Sequence, residues 1–175
     1  AAGSDGVIHT AFNHDFSTYA ANCEADRGVI EALGSALAGS ERPLVVTSGT
    51  GMGGAPGRLV TEADPPARSA DVPRAASEEA AAAVGARGGN VCVVRLPQVH
   101  DTEKQGLVSY AIDAAREKGV SAYVGEGRNR WPAAHRLDVA RLYRLALEKA
   151  EPGARYHAVA EEGVSMRDIA EAVAR

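Results

Sequence analysis

The stretch Pro43–Gly54, PLVVTSGTGMGG, most constrains what this chain can fold into. It starts as a run of apolar, β-branched residues and breaks into hydroxyls, small residues and glycines. A short apolar run of this kind, bounded by turn signals and flanked by helical patterns, predicts a buried strand of a parallel sheet. Such a strand delivers the following loop to the edge where open α/β sheets bind ligands.

The rest of the chain alternates around it. Gly6–Phe12 reads as a strand, followed by a polar turn at Asn13–Asp15. Phe16, Tyr19, Cys23, Arg27, Ile30, Leu33 and Leu37 step at helical spacing. Residues 49–72 form a long glycine- and proline-rich loop, of a length that is usually functional or mobile. Pro73 opens an alanine-rich helix over residues 74–86, and Gly88-Gly89 follow its end. Val91–Leu96 is a further buried strand, stopped by Pro97.

Beyond it the sequence predicts a helix over 103–118 ended by Gly119, a short strand at 121–124 and a helix capped by Asp138. A short strand at 155–159 follows, then a final helix opened by a Ser165–Asp168 capping box. This alternation implies α/β architecture with right-handed crossovers. We expect a partial, Rossmann-like, doubly wound core over residues 1–119. A small mixed α+β substrate subdomain over 120–175 would be interleaved with it.

Composition narrows the function classes. A net charge of −4 does not favour non-specific nucleic-acid binding. Aromatics at 5% suit closely packed layers better than a base-stacking surface. The 2 cysteines, Cys23 and Cys92, lack metal spacing and fall at apolar positions, as buried thiols in a reducing compartment would. With no apolar run of membrane-spanning length and no leader pattern, the expectation is a cytoplasmic protein. His9, His14 and Asp15 have no further ligand at a clear spacing, so no metal site is expected.

Several stretches together resemble the extended short-chain dehydrogenase/reductase superfamily, in its NAD-dependent epimerase/dehydratase branch. GVIHTAF is similar to that family's fourth strand, and LVVTSGTGMGG to its fifth strand and the turn after it. Asn22 with Gly28–Ala32 resembles a family helix pattern. VVRLPQVHD, WPAAHRLDVARLYRLALE and YHAVAEEGVSMRDIAEAVA resemble later family segments in the same order. The resemblance implies NAD or NADP lying beside Ala11, Phe12, Ser48, Pro97, Gln98 and Val99. It implies a carbonyl or sugar-nucleotide substrate near Arg128, Arg130, Trp131 and His135. It also implies a possible homodimer through the helices over 15–37 and 74–86.

The chain departs from the family in two places. No strand-associated glycine-rich dinucleotide turn occurs, and the units that would carry it need about 60 further residues. The sequence is therefore expected to be the later part of a longer protein, binding the cofactor only with that segment. The family's catalytic Tyr-x-x-x-Lys pair falls on Arg74 and Glu78. Arginine does not donate a proton near neutral pH, and a glutamate raises the pKa of a nearby phenol.

Ser48, Thr50 and His100 are the remaining candidates for proton exchange. The hydroxyls either donate to a substrate oxygen or bond their own loop. His100 either exchanges protons with substrate or bonds Asp101 at the surface. The activity expected is an atypical NAD(P)-dependent oxidoreductase or epimerase-like reaction. The alternative is a dinucleotide-binding sensor or regulator that has lost the chemistry.

Overall fold

The computed structural model describes residues 1, 3–54 and 57–175. In chain order the elements are β1 (Val7–His9), α1 (Tyr19–Leu37), β2 (Leu44–Gly49), α2 (Ala76–Ala86), β3 (Val91–Leu96), β4 (Gln98–His100) and α3 (Val108–Lys118). Then follow β5 (Arg130–His135), α4 (Arg136–Lys149), β6 (Arg155–His157), β7 (Glu161–Ser165) and α5 (Met166–Val173). By its contacts the chain divides into two compact units, Ala1–Leu96 with Arg141–His157, and Pro97–Ala140 with Ala158–Arg175. Residues 97–119, expected with the core, thus group with the second unit.

The first unit is built on a parallel sheet of 4 strands in the order β1-β2-β3-β6. Side chains alternate across each strand. Leu44 and Val46 of β2, with their partners Val91 and Val93 of β3, face Ile30 and Leu37 of α1 and Ala80, Ala81 and Val84 of α2. Thr47 points the other way and bonds Tyr143 of α4 at 2.6 Å. Helices thus cover both faces, which is why β2 and β3 read as unbroken apolar runs.

Close approach of α1 and α2 depends on Gly34. A Cβ there would lie 2.5 Å from a Val84 methyl.

β1 is shorter than the sequence suggests. The Thr47 hydroxyl takes the His9 carbonyl at 2.7 Å, and the backbone ladder with β2 goes no further than His9. The long loop is not free. Ala67 N donates to the Met52 carbonyl at 2.6 Å, and Ser69 N donates to Glu79 of α2 at 2.7 Å.

The second unit holds a sheet of 3 strands, β4-β5-β7, with β4 and β5 parallel and β5 and β7 antiparallel. None of these strands was expected. RWPAAH carries a proline and alanines, and EEGVS carries a glycine, all weak strand formers. The ladder is irregular between Trp131 and Ala133, where Pro132 has no N–H to give.

α3 starts later than predicted because a turn consumes the preceding residues. The Asp101 carboxylate accepts from Glu103 N and Lys104 N, both at 2.7 Å. The strand expected at 121–124 is absent; the segment bends into a turn where Gly127 N donates to the Val124 carbonyl at 3.0 Å. The Ser165 cap forms as expected, accepting from Asp168 N at 3.1 Å.

Candidate functional site

Strand register assembles the polar groups at the C-terminal end of the first sheet. Ser48 on β2, Arg95 on β3 and His157 on β6 occupy one row, each paired with the next. The strand pleat puts this row on the face shared with Val46 and Val93, under α2. Glu78 of α2 meets it there. Its Oε1 accepts the Ser48 hydroxyl at 2.7 Å and Arg95 Nε at 2.9 Å, and its Oε2 accepts Arg95 Nη2 at 2.8 Å. Glu78 is 3% exposed and Arg95 1% exposed, so this is a buried bidentate ion pair.

Arg95 completes its donor set with the Asp64 carbonyl, at 3.2 and 3.3 Å, and with His157 Nε2 at 3.3 Å. Since the guanidinium can only donate, His157 accepts through Nε2 and its own proton sits on Nδ1. Burial, the largest influence on it, holds the His157 pKa below the usual histidine value.

A second buried cluster lies along β1 and α1. Asp26 of α1 accepts from His9 Nε2 at 2.7 Å and from Arg74 at 3.0 Å, and Ser77 also bonds it. Arg74 reaches Ser77 and donates to the Thr47 carbonyl at 3.1 Å. Its guanidinium lies 4.1 Å from the centre of the Phe12 ring. Thr47 has a single proton, which goes to His9, so the Tyr143 phenol must donate to Thr47. Burial is the main cause that pushes the Tyr143 pKa up to about 12.

The long loop adds acidic groups. Backbone bonding from Thr61, then Arg58, lowers Asp64 to about 2. Glu62 accepts from His157 N at 3.1 Å.

In the second unit, His100 and His135 are register partners on β4 and β5, their rings edge to face at 5.9 Å. His135 Nδ1 accepts from Leu137 N at 3.3 Å. His100 has no side-chain hydrogen bond among the described residues; Asp101 instead pairs with Arg136 at 2.7 Å. Gln98 accepts from Leu107 N at 3.0 Å and so holds the segment entering α3.

The residues nominated from the sequence thus fall into distinct settings. Ser48 is 4% exposed, with its proton committed to Glu78. The half-buried Thr50 donates its backbone N–H to the Leu96 carbonyl at 3.0 Å, while its hydroxyl makes a long 3.4 Å contact to the same oxygen. Ala11 is exposed just beyond β1, and Phe12 underlies Arg74. Pro97 is buried, while Val99 on β4 is half-buried beside Gln98. Arg128 and Arg130 are exposed, and Trp131 and His135 are half-buried.

Asp26, Arg95 and His157 were not foreseen as site residues. The available signal was a charge inside a buried strand, VVRLP, which requires a buried partner. Among the described residues no group of His, Cys, Asp and Glu is placed to hold a metal.

A parallel sheet with polar side chains gathered at its carboxyl end defines a Rossmann-like α/β protein. Residues 1–160 match the NAD dependent epimerase/dehydratase family, and the chain belongs to it. It is 47% identical over 174 residues to an uncharacterised protein of Schizosaccharomyces pombe, covering 97% of this chain and 57% of that one. An uncharacterised protein of Saccharomyces cerevisiae is 39% identical over 174 residues, covering 99% and 58%. The chain therefore spans somewhat over half the length of these relatives. Among solved structures, DesIV, the dTDP-glucose 4,6-dehydratase of Streptomyces venezuelae with NAD bound, superposes with a TM-score of 0.80. It shares 19% identity, with 98% of this chain and 56% of that one covered.

Proposed function

We propose that this chain is part of an atypical NAD(P)-dependent oxidoreductase or epimerase-like enzyme whose proton exchange does not run through a Tyr–Lys pair. One observation carries the reading. Arg74 and Glu78, which the sequence resemblance sets at that pair, are each buried and ion-paired, to Asp26 and Arg95 respectively. Groups so committed keep the strand ends in place and are not free to relay protons. Thr50 and His100, whose polar atoms are less engaged, and a water are the remaining donors.

The exposed, small Ala11 beyond β1 leaves room at the carboxyl end of the sheet, where a nicotinamide ring would fit. The bound cofactor would supply or accept a hydride. Family membership, and the NAD in the dTDP-glucose dehydratase of like fold, support that cofactor. Its binding would use protein beyond this chain. Pairing of copies through α1 and α2 belongs to the same proposal.

The ion pairs also favour a second reading, a dinucleotide-binding sensor without turnover. Titrating the full-length protein with NADH and NADPH, with nicotinamide fluorescence as the signal, tests both. Saturable binding with turnover of a carbonyl or sugar nucleotide supports the enzyme. Binding without turnover over a broad panel supports the sensor, and no binding rejects both.

A further inference from the structure

The second unit contains a cavity of about 840 Å³, a volume suited to a drug-sized molecule. Its floor is the sheet, with Trp131, Ala133 and Val164, and its walls are Ile112 of α3 and Ile169 and Val173 of α5. The charged side chains that border it are Arg116 and Asp168, both exposed at the rim. Arg116 lies 3.7 Å from Asp113 with both side chains largely in solvent, so its charge is screened by water at the rim. Arg128 and Arg130, the arginines the sequence offers for a phosphate, do not line the cavity.

A diphosphate entering this space would lose its hydration for one solvent-screened cation at the rim, with the Asp168 carboxylate also bordering the space. An uncharged ring system would instead meet Trp131 and aliphatic walls. His100 also lines the cavity and has no side-chain hydrogen bond among the described residues. Beside Gln98, Gln105 and Ser121, which also line the space, its ring provides a polar anchor on the sheet for a carbonyl or hydroxyl group.

We propose that this cavity binds an uncharged, ring-bearing carbonyl or hydroxyl compound, anchored through His100, and not a sugar nucleotide. Calling that compound the substrate rests on the oxidoreductase reading above; the binding itself does not. The test therefore uses no cofactor and no turnover.

Trp131 is the only tryptophan of this sequence, so intrinsic emission reports on this cavity. Full-length protein, with any tryptophan outside this chain replaced by phenylalanine, is titrated with 2-acetylnaphthalene and separately with UDP-glucose. Free tryptophan corrects for absorption. The expected result is saturable quenching by the ketone below about 1 mM and none by UDP-glucose.

Ala133→Leu and Ala115→Phe narrow the space from the floor and from α3, and each should weaken binding at least ~10-fold. Circular dichroism confirms that each variant folds, and either suffices. His100→Phe keeps a ring but removes the anchor, and should weaken binding about 3- to 10-fold. The proposal is overturned if UDP-glucose binds and the ketone does not. It is also overturned if quenching never saturates, if a folded cavity variant binds as the parent does, or if sedimentation shows a second copy covering Trp131.

Discussion

The two units treat their polar groups in opposite ways. At the strand ends of the first, Asp26, Arg74, Glu78 and Arg95 are all buried and matched, charge against charge. In the second, the ion pair Arg136–Asp101 has its arginine largely in solvent, while His100 faces a cavity with no side-chain hydrogen bond among the described residues. A buried charge that is fully paired holds elements in register. A half-buried group with free lone pairs is available to a ligand. Dense charge near a sheet edge is therefore accounted for here by structure alone, and an unengaged polar group is what a ligand can reach.

The sharpest way to break this contrast is at Glu78. Glu78→Gln leaves the Arg95 guanidinium buried without its counter-charge and should destabilise the first unit by about 3–5 kcal/mol. The urea midpoint at constant slope measures it. Glu78→Lys should cost more, since it sets like charges together. Arg74→Tyr with Glu78→Lys sets a Tyr–Lys pair at these two positions, yet should lose stability and gain no turnover. A double variant as stable as the parent would refute the structural role given to both residues.

Next in size are the glycines at close approaches. Gly34→Ala forces a Cβ into Val84 between α1 and α2 and should cost about 1–3 kcal/mol. The second unit has its own tight point in a turn, not between helices. Gly127 has φ +63, and a Cβ there would lie 2.7 Å from the Tyr123 ring and 3.0 Å from Arg167 N. Gly127→Ala should cost a similar ~1–3 kcal/mol. Thermal unfolding of each variant, followed by circular dichroism, gives the comparison.

What was legible in the sequence follows the same division. β2 and β3 are runs of β-branched residues covered on both faces, α1 shows clean helical spacing, and α2 is an alanine-rich run between Pro73 and Gly88-Gly89, so both strands and both helices were read closely. β4, β5 and β7 were missed because their short, mixed sequences carry no alternation, and only pairing with one another makes them strands. The resemblance drew attention to Arg74 and Glu78, but nothing in the sequence indicated the buried partners the fold gives them. Asp26 lies on a different helix, 48 residues from Arg74, and no local pattern connects them. Ser48 was read as a possible donor because its acceptor, Glu78, is supplied by the fold.

Acid should separate the units more gently. Glu79 accepts from Ser69 N, its largest influence, and pairs with Arg27, which together lower its pKa from 4.5 to about 2. A carboxylate depressed in the folded state contributes stability that is complete above the unfolded value and lost as pH falls toward the folded one. Glu79→Gln should therefore lower the unfolding midpoint at pH 7, and the gap from the parent should narrow between about pH 4.5 and 2. A gap independent of pH would show that Glu79 acts by packing alone.

The smallest effect should come from the Arg136–Asp101 ion pair of the second unit. Asp101 is held below the usual carboxylate range first by the Lys104 and Glu103 N–H groups, and only later by Arg136. Those N–H bonds form the turn that enters α3, and they need the carboxylate whether or not the arginine is present. The arginine side chain is 62% exposed, where water screens the pair and side-chain entropy opposes it. Arg136→Ala should thus leave the thermal midpoint within measurement scatter, while Asp101→Ala lowers it by undoing the turn. If Arg136→Ala proved as damaging as Glu78→Gln, charge pairing would hold both units together, and the contrast between them would fail.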